Sequence, residues 1–236
     1  MCYSNSSTST NVQLAERYKK NVPTNLDAGP VFYANGFSFP KWRIITKTPE
    51  ILAMRWGLIP HWFVGADWKE IASLTLNSRI ETADEKASFR GLLDRQRCIV
   101  PSTGFFEWKH VGKEKIPYFI HPAKESVFSM AGLYDQWTDP LRGEVLHTFS
   151  ILTCEANPLM RSIHNTKFRM PVLLEAEQEH DWLNGNMPHT ALFTPSSDSL
   201  MNAHEISKRV INSKHANCQD VSKPFDNGVY EQGSLF

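Results

Sequence analysis

The sequence predicts an α+β fold, a compact single domain dominated by antiparallel β-sheet with short peripheral helices. Two observations predict it. Most apolar segments have the length of strands and are separated by short polar turns, and only a few segments have helical spacing. Strands joined by short turns form antiparallel sheets, whereas a doubly wound fold would alternate strands with long helices. With 236 residues, 41% of them hydrophobic, the chain can bury a sizeable core.

The first half of the chain begins with a polar stretch and a short helix. The low-complexity run SNSSTST precedes VQLAERYKK, which has helical spacing. From Ile51 the pattern changes to strands: ILAMRWGLI ends at Pro60, and RCIVPSTGFFEWKH follows a predicted helical stretch from Phe89 to Arg95. The turn VGKEK then leads into the strand IPYFIHP.

The second half predicts a hairpin followed by short helices. The strands VFSMAGLYDQW and VLHTFSILTCEA flank the turn DPLRGE. In ANPLMRSIHN, Asn157 is a good N-cap and Pro158 suits the first helical position, so a helix should end near His164. The strand RMPVLL follows, and EAEQEHDWLNG and SLMNAHEISKRVINS are predicted helices. We expect residues 1–225 to form the domain and residues 226–236 to form a C-terminal tail.

Charge and cysteine content exclude several classes of function. Acidic and basic side chains number 25 each, so no global field attracts nucleic acid or an anionic membrane, and an anionic partner must be held locally. The four cysteines form no C-x-x-C pair, which argues against a zinc site or a thioredoxin-like site. We expect no metal and no cofactor. Because a signal-peptide pattern and an apolar run of about 18 residues are both absent, we expect a soluble cytoplasmic protein with no membrane partner.

The opening MCYSN places a cysteine directly after the initiator methionine. Removal of Met1 would leave Cys2 with a free α-amine and a thiol, whose reference pKa values are about 7.7 to 8.0 and about 8.5, so both nucleophiles are partly deprotonated near neutral pH. An aldehyde or an ester could then be attacked twice by one residue. The alternative interpretation is a disordered terminus with an accidental cysteine.

Three other stretches place polar groups where a core would prefer apolar ones: LNSRIET, PSTGFFEW and SIHNTKFRMPV. A period of two puts Glu107 on the face opposite Phe106 and Trp108, which is typical of a surface carboxylate if that face is solvated. Asn77 and Arg79 alternate in the same way, as on a solvated strand edge, and a histidine at a helix end ordinarily caps carbonyl groups. None of these signals identifies a site alone.

Together, in order, these segments resemble the SRAP domain, the SOS response-associated peptidase family. The resemblance covers nearly the whole chain and rests on an N-terminal MC followed by RWGLIPHW, NSRIET, CIVPSTGFFEWK, PYFI, AGLYDQW, FSILTCEAN and IHNTKFRMPVLL. It implies that Cys2 is the nucleophile, that Asn77 and Glu107 surround its amine, and that His164 faces them. It also implies a shield for abasic sites in single-stranded DNA, linked covalently through Cys2.

These residue types suit that chemistry. An amine adds to the open aldehyde of an abasic site to give a Schiff base, and the neighbouring thiol closes a thiazolidine ring. The second step is intramolecular, which lowers a barrier by about 7 to 11 kcal/mol when the geometry is good. We expect His164 to protonate the sugar ring oxygen, Glu107 to shuttle protons, and Asn77 to orient the amine.

DNA binding is expected from residues in or near the same motifs. Arg79, Arg90 and Arg169 could hold phosphates, and Trp62 and Phe63 could stack or wedge against bases. The alternative for the two aromatics is a core pair at a strand end, which is an equally good interpretation for Phe63. Two segments depart from the family pattern. MCYSN replaces the usual MCGRF, whose arginine helps to hold DNA, and IHNTKFRMP is longer than IHDRMP or IHKRMP.

Two other functional classes stay open, and one further partner is predicted. A thiol peptidase could use Cys2 with His164 and Glu107, acting on its own Met1 or reversing a linkage. A non-catalytic module for single-stranded nucleic acid would make Cys2 incidental. We expect a monomer that associates with the nucleoid when it acts on DNA. In the tail, Gln232, Leu235 and Phe236 imitate the Q-x-x-L-F peptide by which bacterial replication proteins bind the sliding clamp; a frayed end is the alternative.

Overall fold

A computed structural model describes residues 2–65 and 67–225. Within them, the strands are β1 (Ser4–Ser7), β2 (Val31–Asn35), β3 (Lys41–Ile44), β4 (Leu52–Trp56), β5 (Asn77–Arg79), β6 (Arg97–Ser102), β7 (Gly104–Val111), β8 (Glu114–Pro122), β9 (Phe128–Thr138), β10 (Val145–Glu155), β11 (Arg169–Pro171), β12 (Leu173–Leu174) and β13 (Met201–Glu205). The helices are α1 (Asn11–Tyr18), α2 (Trp68–Leu74), α3 (Pro158–Ile163), α4 (Ala176–Asn184) and α5 (Lys208–Ile211).

The strands form two sheets around one main core. The first is antiparallel throughout and has the order β13-β8-β7-β1-β2. The second has the path β12-β9-β10-β4-β3, with β6 on β9 and with β5 and β11 on β10. In this second sheet β10 runs parallel to β4 and β5 and antiparallel to its other partners. The predicted α+β class, dominated by antiparallel sheet with short helices, is confirmed.

The hairpin and the capped helix follow their predictions. Strands β9 and β10 pair antiparallel from Val145 opposite Thr138 onward. Helix α3 begins after Asn157, whose Oδ1 accepts from the Met160 N–H at 2.9 Å, and Pro158 is its first residue. The helix ends at Ile163, and the capping residue His164 donates its backbone N–H to the Met160 carbonyl at 2.7 Å. These elements depend on local hydrogen bonds, which local sequence predicts well.

Three predictions of local structure were wrong. Residues 83–95 form successive turns rather than a helix around Phe89 to Arg95. The segment SLMNAHEISKRVINS forms β13 before the short helix α5, because Met201–Glu205 completes the edge of the first sheet by pairing with β8. RMPVLL divides into β11 and β12, which pair with two different strands. In the last two cases the sheet partner, rather than the local pattern, determines the structure.

The described residues end at Phe225, so the predicted tail and its clamp motif at Gln232, Leu235 and Phe236 lie outside them and stay predictions. Within the described ranges, no helix has the length and apolarity that crossing a membrane requires.

Candidate active site

The polar opening of the chain forms a buried central strand. Ser4, Asn5, Ser6 and Ser7 of β1 are all buried between β2 and β7. Their side chains have partners: the Ser102 hydroxyl, for example, donates to Asn5 Oδ1, which also accepts from the Ser6 N–H at 2.9 Å. Because buried polar groups are stable only when hydrogen-bonded, these bonds allow a serine-rich segment to enter the core. The alternative of a disordered start is therefore wrong.

A buried cation holds the end of this strand. Arg43 on β3 is almost completely buried and donates to the Ser7 carbonyl at 2.6 Å, to the Ser7 hydroxyl at 2.8 Å and to Asn11 Oδ1 at 3.2 Å. Burial lowers the pKa of Arg43 to about 10, so the side chain remains charged near neutral pH. Charge-assisted bonds to backbone oxygens therefore fix the strand that follows Cys2.

The fixed strand places Cys2 in the interior beside a carboxyl group. Cys2 is 1% exposed, and its Sγ lies 3.8 Å from the Ser4 carbonyl oxygen. Strand β1 pairs with β7 in the register Ser4 opposite Phe106, which brings Glu107 next to the start of the chain. Burial, and then the charge of Glu107, raise the pKa of the Cys2 thiol. The thiol is therefore protonated at rest and would need a base in order to act as a nucleophile.

Glu107 occupies a second buried face of its strand instead of a solvated one. Phe105 and Phe106 are both fully buried, and Glu107 itself is 6% exposed. Burial raises the pKa of Glu107 to about 7, although a hydrogen bond from the Trp108 backbone opposes the shift. A carboxyl group with this pKa can both donate and accept a proton near neutral pH, as a proton shuttle requires.

His164 lies at the C-terminus of α3, next to Glu107. Its Nδ1 is 3.9 Å from Glu107 Oε1 and donates to the Arg169 carbonyl at 2.8 Å. A carbonyl can only accept, so Nδ1 carries the proton and Nε2 is the basic nitrogen of the neutral ring. Burial lowers the pKa of His164 despite this backbone bond, so the ring is mostly neutral at pH 7.

Asn165 attaches the end of α3 to the strand that carries Glu107. Its Oδ1 accepts from the His110 backbone N–H at 3.0 Å, and its Nδ2 donates to the His110 carbonyl at 2.8 Å. These two bonds imitate a strand pairing and connect residues that are 55 positions apart. Because Asn165 directly follows His164, they fix the separation between the imidazole and Glu107.

Asn77 contributes a buried amide with no protein partner among the described residues. It lies on β5, which pairs parallel with β10, and it is 9% exposed. Neither Nδ2 nor Oδ1 has a hydrogen bond. A buried amide left unpaired costs roughly 1 to 3 kcal/mol, so an unpaired amide at this position is consistent with a catalytic role.

The predicted phosphate-binding arginines differ in their surroundings. Arg79, at the end of β5, is exposed. Arg169 is buried and donates twice to Glu81, with both distances 2.7 Å, and once to the Thr153 carbonyl at 2.6 Å. Although burial acts in the opposite direction, the bonds from Arg169 hold the pKa of Glu81 below its usual value. Both terminal nitrogens of Arg169 are thus engaged inside the protein, and a phosphate would have to displace Glu81 to bind them.

The remaining predicted DNA contacts lie in loops. Trp62 is 49% exposed, whereas Phe63 is half-buried, with its ring centroid 6.3 Å from that of Trp137 and its carbonyl accepting from Trp137 Nε1 at 2.7 Å. Arg90 is exposed. Trp62 is therefore the more accessible of the aromatic pair, and the DNA contacts of Trp62, Phe63 and Arg90 stay predictions.

Sequence reasoning missed three groups around the site: Glu81, Asn165, and the aromatic pair Tyr3 and Phe37. Glu81 and Asn165 were visible only as members of their motifs, because their partners are distant in the chain. The only local sign that Tyr3 lies at the site was its position directly after the candidate nucleophile Cys2. For Phe37, we find no such signal in the sequence.

Comparison with known proteins identifies the family of this chain. The family described as SOS response associated peptidase (SRAP) matches residues 1–213. The chain is 40% identical over 167 residues to the abasic site processing protein YoqW of Bacillus subtilis (strain 168), covering 69% of this chain and 71% of that protein. It is 36% identical over 154 residues to the abasic site processing protein HMCES of Gallus gallus, covering 57% of this chain and 45% of that protein.

Solved structures have the same fold. A crystal structure of a protein from Bacteroides thetaiotaomicron is 39% identical, with a TM-score of 0.89 over 95% of this chain and all of that one. A protein from Bordetella bronchiseptica, 22% identical, matches the fold with a TM-score of 0.75 over 87% of this chain and all of that one.

Proposed function

Because the chain belongs to the SOS response-associated peptidase (SRAP) family, we propose that it processes abasic sites in single-stranded DNA by forming a covalent bond to them through Cys2. Removal of Met1 exposes the α-amine of Cys2, and the adduct shields the lesion. The protein acts on DNA in the nucleoid. The observation that carries the proposal is the burial of Cys2 beside Glu107. His164 completes the group, with its Nδ1 3.9 Å from Glu107 Oε1.

The first chemical step opens the sugar. The closed form of an abasic site is a hemiacetal, and its ring opens when the hydroxyl on C1′ loses a proton and the ring oxygen gains one. The neutral His164 ring, with Nδ1–H held by the Arg169 carbonyl, suits this exchange. Its basic nitrogen takes the hydroxyl proton and, once charged, returns it to the ring oxygen. This agrees with the predicted protonation of that oxygen by His164.

The next steps form the ring adduct. The Cys2 amine adds to the aldehyde carbon, and the resulting hydroxyl leaves as water after protonation, which gives a Schiff base. The thiol sulfur then bonds to the same carbon of this protonated Schiff base, and the electron pair of the C=N double bond moves to the nitrogen, so that one water is released overall. Glu107, with a pKa near 7, can supply the proton for the departing water and accept the proton of the thiol. The amide of Asn77, which has no protein partner among the described residues, suits orientation of the amine or the sugar.

A thiol peptidase is less well supported by these surroundings. Peptidase cysteines have thiol pKa values well below the ordinary one, because a charged imidazole stabilises the thiolate. Here burial and the Glu107 carboxyl group raise the pKa of the Cys2 thiol. A mechanism that begins with a neutral amine and uses the thiol second is compatible with a protonated thiol.

The test uses chain with Met1 removed, as verified by mass spectrometry, and a single strand containing one abasic site. We expect a heat-stable shifted band in a denaturing gel. Cys2→Ala should abolish this band and leave only a Schiff base trapped by borohydride, since its α-amine remains. Cys98→Ala is the matched control, because Cys98 is also buried but lies on β6. Heat-stable crosslinking at full strength by Cys2→Ala would refute the thiazolidine, and cleavage of a peptide without any DNA adduct would favour the peptidase.

A further inference from the structure

Two aromatic rings lie at the edge of the candidate active site and have no role in the proposed chemistry. Tyr3 directly follows Cys2, and Phe37 belongs to the single turn Gly36–Ser38 that follows β2. Their ring centroids are 4.9 Å apart at an interplanar angle of 43°. Tyr3 is half-buried, but Phe37 is 52% exposed, so one ring supports the other and presents it to solvent.

Backbone contacts place this pair between the two segments that carry Cys2 and Asn77. The Gly36 N–H donates to the Tyr3 carbonyl at 2.7 Å. A Cβ atom at Gly36 would lie 3.3 Å from the side chains of Leu76 and Trp56, so the turn packs closely against the residue that precedes Asn77. Burial and the charge of Glu107 both raise the pKa of the Tyr3 phenol, which agrees with a position beside the site.

The turn that presents Phe37 is held rigidly. Asn35 Oδ1 accepts from the Phe37 N–H at 2.9 Å, and the Ser38 hydroxyl donates to the Asn35 carbonyl at 2.7 Å. The Phe39 N–H closes the turn on the Gly36 carbonyl at 2.9 Å. A ligand that stacks on Phe37 therefore orders little additional chain, which favours binding.

We infer that the exposed face of Phe37, supported by Tyr3, binds the nucleobase adjacent to the abasic site. The inference rests on the proposed function. An abasic residue has no base of its own, so a neighbouring base is the closest aromatic surface that the strand can offer. Stacking on a protein ring requires no particular base, which suits a lesion that arises in any sequence. The opening MCYSN provides Tyr3 and Ser4 and no cation, so stacking here replaces charge as the source of local affinity.

The first experiment measures adduct formation at limiting protein on three strands. One strand has normal bases on both sides of the abasic site, and in the other two a stable base-free tetrahydrofuran residue replaces the 5′ or the 3′ neighbour. Stacking of one base is worth about 1 to 3 kcal/mol. We expect Phe37→Ala to form adduct about 5- to 20-fold more slowly on the normal strand, as suits a half-exposed ring. Phe37→Trp should retain the wild-type rate.

The base-free strands identify the partner. On one of them the wild type should form adduct more slowly than on the normal strand, by the same factor that Phe37→Ala loses there. On that base-free strand, Phe37→Ala and the wild type should form adduct at equal rates. Phe225→Ala is the matched control, because Phe225 is 39% exposed and lies by β13, at the opposite edge of the first sheet. Equal rates for wild type and Phe37→Ala on the normal strand would overturn the inference. It would also be overturned if Phe37→Ala were slower than the wild type by the same factor on all three strands.

A second measurement does not depend on the covalent reaction. A strand with a tetrahydrofuran lesion and a neighbouring 2-aminopurine should lose fluorescence on binding the wild type, since stacking quenches this base, and Phe37→Ala should bind with less quenching. Equal quenching at saturation would overturn the inference. Absence of any wild-type adduct together with Phe37-dependent quenching would refute the proposed covalent function and leave the stacking site supported.

Discussion

Glu107→Gln removes a carboxyl group that is 6% exposed and whose pKa burial raises to about 7 from an ordinary value of 4.5. A pKa raised on folding means that the folded state binds its proton more tightly than the unfolded state does. The contribution of Glu107 to stability is therefore unaffected below about pH 4.5, is lost as the pH rises from there through about 7, and changes little above that pH. The glutamine variant has no proton to lose, so it should escape this part of the pH dependence.

The two pKa values give the size of the effect. Since each pKa unit corresponds to about 1.4 kcal/mol, the ionisation of Glu107 destabilises the folded state by about 1 kcal/mol at about pH 5 and about 3 kcal/mol at about pH 8. The free energy of unfolding of Glu107→Gln should therefore rise relative to that of the wild type by about 2 to 3 kcal/mol over this interval. The same variant should lose most of its crosslinking activity, because the proton shuttle is gone.

The assay is urea unfolding at half-unit steps between about pH 5 and pH 8, with Glu125→Gln as the control for loss of one exposed carboxylate. The titration of His164, 3.9 Å from Glu107, occurs in both proteins and largely cancels in their difference. Parallel pH profiles for Glu107→Gln and the wild type would refute the argument, since they would show that Glu107 folds without a raised pKa.

Two further predictions concern the segment after α3. His164→Ala should slow adduct formation on closed-sugar abasic sites more than on a preformed open aldehyde, because only the closed sugar needs ring opening; equal slowing on both substrates would assign His164 another role. Asn165→Ala loses both hydrogen bonds to His110 and should cost about 1 to 3 kcal/mol of stability. It should also slow adduct formation on closed-sugar sites more than on the open aldehyde, though less than His164→Ala does. Asn165→Asp can still accept from the His110 N–H and should be intermediate, whereas slowing on both substrates alike would indicate a purely structural Asn165.

Several features of this protein followed from its sequence alone. The β9–β10 hairpin, helix α3 with its Asn157 cap, and the position of His164 at the end of that helix all depend on residues within a few positions of each other. Local hydrogen bonding and side-chain period determine such features. The ordered set of family motifs also selected the candidate residues Cys2, Asn77 and Glu107 before any contact between them was visible.

Other features were decided by the tertiary structure. Nothing local shows that the serine-rich β1 is a buried central strand, because the bonds that satisfy it come from Arg43 and Ser102 on other strands. Likewise, a period of two placed Glu107 opposite its neighbours but could not show that both faces are covered. The pairs Asn165 with His110 and Arg169 with Glu81 join residues 55 and 88 positions apart. A pKa or a fixed side-chain position depends on such distant neighbours, since burial and charge act through space rather than along the chain.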